Sequence, residues 1–172
     1  MRAAKTIRMI AGAALLLTAT AAGADTPLTE FNGQWTGRGT DRDSPLEKTQ
    51  PTQCRVTVKA DPTHMTSDTE CNGRRGLLKR FRLALTFSGN RFTGTAEQTS
   101  HRRGSDAAPT QRNGKVSGSR NGDTANFTVH LPGLTPNAHV VLKLTSPTSF
   151  SMRVSSLGAT LTDVNFQRPA VR

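Results

Sequence analysis

Between Arg80 and Ala96 the chain reads RFRLALTFSGNRFTGTA, and its apolar residues Phe81, Leu83, Leu85 and Phe87 take every second position. A period of two puts one set of side chains on a single face of an extended strand. Gly89-Asn90 then supplies a two-residue turn that tolerates positive φ, and Phe92, Gly94 and Ala96 resume the alternation. The stretch is a β-hairpin with one face turned to a core. The same rhythm returns in Cys54, Val56 and Val58, in Ala125, Phe127, Val129 and Leu131, in Val140, Leu142 and Leu144, and in Phe150, Met152 and Val154. Asn121-Gly122 marks a further tight turn. No 11-residue window carries a helical stripe.

These runs predict nine or ten short strands. The first spans Phe31 to Gly39 and is anchored by the only tryptophan, Trp35. The next are expected over 54–60, 67–71, 77–87, 91–98 and 115–119. Polar segments 41–53 and 99–113 read as loops, the second as a mobile one. The period breaks between Leu161 and Val164, which predicts a bulge. Arg91-Phe92-Thr93-Gly94-Thr95 is echoed by Lys115-Val116-Ser117-Gly118-Ser119, and a glycine within a strand suits a sharp bend in a curled sheet. Closing the sheet removes its exposed edges. The expected fold is all-β: an antiparallel up-and-down β-barrel of about 8–10 strands, with two packed sheets as the alternative.

The first 24 residues do not belong to that barrel. Arg2, Lys5 and Arg8 precede an apolar run that starts at Ile10, and Ala22-Gly23-Ala24 fits the small-x-small rule for cleavage. Residues 1–24 are expected to be a signal peptide and 25–172 a single mature domain. The apolar run falls short of the roughly 20 residues a spanning helix needs. No cysteine stands at the cleavage site to carry a lipid anchor. A periplasmic or secreted monomer with no membrane span follows. Removing the three basic residues of the leader takes the net charge from +11 to +8. Cys54 and Cys71 are the only cysteines. In an oxidising compartment an even count argues for a disulfide, and neighbouring antiparallel strands would bring the two sulfurs into range.

Gly33-Gln34-Trp35, early on the first strand and followed by a meander, resembles the start of the calycin superfamily of lipocalin-like barrels. The motif is three residues, while the architectural resemblance covers most of the mature chain. It implies that Trp35 plugs the closed end of the barrel under an arginine from the last strand, a place that Arg168 would fill. Phe92-Thr93-Gly94-Thr95 is similar to a strand of the avidins, but one Trp and no Tyr cannot build their biotin cage. Gly33-Gln34-Trp35-Thr36 also resembles the small periplasmic inhibitors of bacterial metalloproteases. That resemblance implies an inhibitory arm at Asp25–Glu30, although the length of the chain and Pro27 depart from that family.

Three sets of residues are candidates for function. Trp35, Phe81, Leu83, Leu85, Phe87, Phe92, Phe127, Val129, Leu142 and Phe150 should face the barrel interior, where they either fill it or line a site for a small apolar ligand. Arg74, Arg75, Lys79, Arg80 and Arg82 form the densest basic cluster and would present an outer face to an anionic envelope component, or simply a solvated surface. Arg102, Arg103, Arg112, Lys115 and Arg120 form a second cluster. Nucleic acid is not an expected partner, because no stacking aromatics stand beside the charge. His64, His101, His130 and His139 are the only histidines. His130 and His139 flank the Pro132–Asn137 turn and could face each other across a hairpin, but two histidines with no adjacent carboxylate do not make a site, so neither a metal site nor a cofactor is expected. There is no Gly-x-Ser-x-Gly elbow and no carboxylate pair in an apolar strand, hence no enzyme is expected. The reading is an exported binding protein, with a protease inhibitor or a structural envelope protein as the alternative.

Overall fold

Alternating side chains make each strand two-faced, and a closed sheet hides one of those faces from water. The computed structural model describes residues 28–42, 44–73, 76–132 and 137–169. The expected signal peptide lies outside the described residues. A short 3-10 helix at Thr29–Phe31 leads into ten strands: β1 (Gly33–Asp41), β2 (Gln50–Ala60), β3 (His64–Gly73), β4 (Leu77–Ser88), β5 (Arg91–Arg102), β6 (Thr110–Asn121), β7 (Thr124–His130), β8 (Ala138–Ser146), β9 (Ser149–Ser156) and β10 (Ala159–Gln167). Every strand pairs antiparallel with the next, and β10 returns to β1, so the barrel is closed. The two-sheet alternative is excluded by that closure.

The register carries the expected hairpins. Phe87 faces Phe92 across the Gly89-Asn90 turn, and Gly89 has a φ of 60°. Cys54 faces Cys71 on β2 and β3, and the two are joined by a disulfide. A bulge interrupts β9 and β10 between Thr160 and Thr162, around Leu161, where the sequence loses its period. A second irregularity, between Leu144 and Ser146, has no such sign in the sequence. The echoed glycines are explained by crowding. A Cβ on Gly94 would sit 1.9 Å from the Ala84 carbonyl oxygen, and one on Gly118 would sit 2.2 Å from the Asn126 carbonyl oxygen. Neighbouring backbone passes so close at these bends that no side chain fits.

Two loops expected from polarity are shorter than the sequence suggests. Thr99–Arg102 continues β5, and Thr110–Asn113 opens β6, so only a short connection remains of the 99–113 segment. Likewise Asp41 ends β1 and Gln50–Gln53 opens β2. The polar residues misled because at this end of the barrel even inward positions are polar.

One end of the barrel is sealed. The Trp35 indole is 1% exposed and its Nε1 donates to the Phe31 carbonyl at 2.7 Å. Phe150 packs edge-on against both Phe31 and Trp35 and stacks on Phe166 with centroids 4.6 Å apart. Edge-to-face and offset arrangements of this kind suit the ring quadrupoles. Leu28 and Phe31 of the N-terminal segment are each 1% exposed and close this end. Glu30 is clamped by Arg120, whose Nη1 and Nη2 donate to its two carboxylate oxygens at 2.9 and 2.7 Å.

Candidate functional site

Above the aromatic floor the interior is not filled. A cavity of ≈ 380 Å³ runs from Phe31, Phe150 and Phe166 toward the opposite end of the barrel. Pairing places inward residues in rows across the sheet. One row runs Trp35, Val56, Thr69, Phe81, Gln98, Arg112 from β1 to β6. The next runs Gly37, Cys54, Cys71, Lys79, Ser100, Thr110. The walls near the floor are apolar: Val56, Val58, Met65, Phe127, Val129 and Leu142 among them. Toward the far end they turn polar, with Asp41, Lys79, Gln98, Ser100, Arg112 and Thr162.

Of the ten residues expected inside, Phe81, Leu83, Phe127, Val129, Leu142 and Phe150 line the cavity. Trp35, Leu85 and Phe92 are buried in the core, and Phe87 packs against it, so these four support the wall rather than border the space. The disulfide faces inward as well, and Cys71 borders the cavity.

The basic cluster divides in a way its sequence did not suggest. Lys79 shares the parity of Phe81 and Leu83 on β4, so it points into the barrel and not onto an outer face. There its Nζ donates to Asp41 Oδ2 at 2.6 Å, while Thr162 Oγ1 donates to Asp41 Oδ1 at 2.7 Å. Asp41 is 8% exposed, and these two donors satisfy its carboxylate. Arg80 and Arg82 do lie outside, but acids on the neighbouring strands meet them. Arg80 forms a two-pronged contact with Asp68, and Arg82 lies 3.5 Å from both Asp68 and Glu97. The Arg80 hydrogen bond holds the Asp68 carboxyl below its ordinary value, and Asp68 in turn raises Arg80. This patch is internally compensated, with its cations largely spent on neighbouring acids. Arg74 and Arg75 lie outside the described residues.

Arg112 is the polar residue that the sequence reading undervalued. A member of the second basic cluster in the sequence, it faces Gln98 across β5 and β6 and borders the cavity. None of the hydrogen bonds or ion pairs among the described residues involves its guanidinium. The signal was available: Arg112, Gly114, Val116 and Gly118 share one parity, so Arg112 is inward once β6 is extended. The second-cluster residue Arg120 instead holds Glu30.

The histidines do not assemble. His130 and His139 are both exposed and out of register; His139 faces Thr128, and His130 Nδ1 meets Asn137 Oδ1 at 2.7 Å. Among the described residues no three His, Cys, Asp or Glu side chains are grouped to hold a metal ion.

No protein-family model matches the chain, and no curated protein matches it. Among solved structures it is similar to a redesigned β-barrel, at 18% identity and a TM-score of 0.38, over 82% of this chain and 93% of that one. The closed ten-strand architecture therefore rests on the chain's own ladders.

Proposed function

We propose that the protein is an exported binding protein that holds a small, mainly apolar molecule inside its barrel. The observation that carries this reading is the ≈ 380 Å³ interior space between the aromatic floor and the polar end. It falls within the range of about 300–1,000 Å³ typical of ligand pockets. Eight strands leave an interior just wide enough for side chains to fill, and ten strands make a wider one. Apolar walls with a few polar groups at one end suit a ligand with a greasy body and a polar tip. Its role is binding rather than turnover. The inward disulfide supports an oxidising, extracytoplasmic location.

The competing readings receive less support. Arg80 and Arg82 are already matched by Asp68 and Glu97, which weakens the case for an anionic partner on that face. Of the inhibitory arm expected at Asp25–Glu30, the described residues do not project: Leu28 is buried at the barrel end and Glu30 is clamped by Arg120. Titration of the mature protein with the neutral fluorophore N-phenyl-1-naphthylamine tests the proposal. Saturable binding at one site per chain, with enhanced emission, is expected. No saturable binding of this probe or of any apolar competitor would count against it.

A further inference from the structure

We infer that the ligand is a single-tailed anion whose charged head is received by Arg112 and whose tail lies on the apolar floor. This inference rests on the binding reading above and names its ligand class. The polar end of the cavity is bordered by three cations, Arg42, Lys79 and Arg112, and one carboxylate, Asp41, and Arg42 is already engaged with the Thr160 and Pro45 carbonyls. That carboxylate is taken: Lys79 and Thr162 both donate to it, at 2.6 and 2.7 Å. Arg112 is left with no acceptor among the described residues. Arg112 is half-buried at this end, and an anion entering the cavity would give its guanidinium a charge-assisted partner. Its planar fork of donors fits a carboxylate or a phosphate through two parallel hydrogen bonds. Gln98, directly across the ladder, and Ser100 line the same end and offer further donors to such a head.

The opposite end fixes the other half of the ligand. Phe31, Phe150 and Phe166 offer no polar side-chain atom to a ligand, and Phe127, Val129 and Leu142 continue that surface upward. A molecule charged at both ends, or hydroxylated along its length, would have to desolvate polar groups against these walls with no partner. A head-and-tail molecule satisfies both ends at once. Carboxylate and phosphate heads share this chemistry.

The test compares molecules that differ only in the head, by displacement of N-phenyl-1-naphthylamine from the full mature protein. Dodecanoate and dodecyl phosphate are set against 1-dodecanol and the dodecyltrimethylammonium cation. In the wild-type protein at least one anion should bind about 10- to 100-fold more tightly than the alcohol, as a charge-assisted pair commonly provides, and the cation should bind more weakly than either. The tighter anion identifies the head. R112Q should lower anion affinity far more than alcohol affinity and so shrink the difference between them, and R112K should restore part of it. Alcohol binding equal to both anions in the wild type, or anion affinity unchanged in R112Q, would overturn the assignment while the cavity remained a binding site. Failure of the probe and of all four compounds to bind would sink the binding reading itself, and this inference with it. The comparison in the wild-type protein stands even where R112Q does not fold.

Discussion

Arg168 covers Trp35: its guanidinium carbon lies 4.3 Å from the indole centroid, just past the end of the last strand. The same side chain donates to the Glu30 carbonyl at 2.9 Å and to the Pro147 carbonyl at 3.2 Å. One residue thus ties the last strand, the N-terminal 3-10 turn and the β8–β9 turn to the barrel's only indole. The aromatic floor of the cavity depends on this closure, because Phe31 and Phe150 pack on each other and Phe150 packs on Trp35.

Replacing that arginine should loosen the sealed end. R168A is expected to lower the unfolding free energy by about 1–2 kcal/mol, the low end for a cation–π contact and two hydrogen bonds to carbonyls because Arg168 is exposed. Urea titration followed by the emission of Trp35, the single tryptophan, reads this directly. R168K should recover only part of the loss, since it keeps the charge but not the fork.

The glycines at the bends separate two kinds of constraint. G118A would drive a methyl group to 2.2 Å from both the Asn126 carbonyl oxygen and the Phe92 ring. A cost of about 1–3 kcal/mol or more is expected from such overpacking. Gly122 has a φ of 55° but open space around it, so G122A should cost only about 1 kcal/mol for its left-handed backbone. Comparable costs at both positions in thermal unfolding would contradict the crowding account of the echo.

The disulfide closes a loop of sequence separation 17. Removing it through the paired change C54A/C71A should destabilise the barrel by about 3 kcal/mol on the chain-entropy estimate. Because Cys71 borders the cavity, the variant should also alter affinity for the apolar probe. Denaturant midpoints and probe titration on the same sample check both effects.

Asp68 supplies a pH dependence with a definite sign. Its folded-state carboxyl is held below the ordinary value of 3.8, chiefly by the Arg80 hydrogen bond. A lowered carboxyl means that the unfolded chain binds protons first as pH falls. The contribution is therefore complete above the ordinary value and is lost as pH drops through the lower folded one. Asp68 is partly exposed, so the effect should stay below about 1 kcal/mol. D68N should lower stability at pH 6 slightly and flatten the stability profile below pH 4, measured by urea titration across that range.

The hairpins were legible in the sequence because alternation, Gly89-Asn90 and Asn121-Gly122 are local signals. The disulfide was legible because it had one possible pairing. Closure could only be inferred, since nothing in β1 or β10 alone names its partner. What escaped was the polar end of the interior. Reading inward as apolar assigned Lys79 to the outside and cut β5 and β6 short at Gln98 and Lys115. The rule failed there because the inner face at this end carries polar side chains, Asp41, Lys79, Gln98, Ser100, Arg112 and Thr162. Arg80 and Arg82 escaped in the opposite sense, as their neutralising partners Asp68 and Glu97 sit on other strands and become neighbours only through the register.

Native mass spectrometry of the mature protein, recovered gently from the compartment in which it resides, tests the central claim most directly. The account predicts a bound mass that is lost on denaturation, and a ligand that carries one anionic head on an apolar tail. A bare polypeptide that also fails to take up any added single-tailed amphiphile would contradict it.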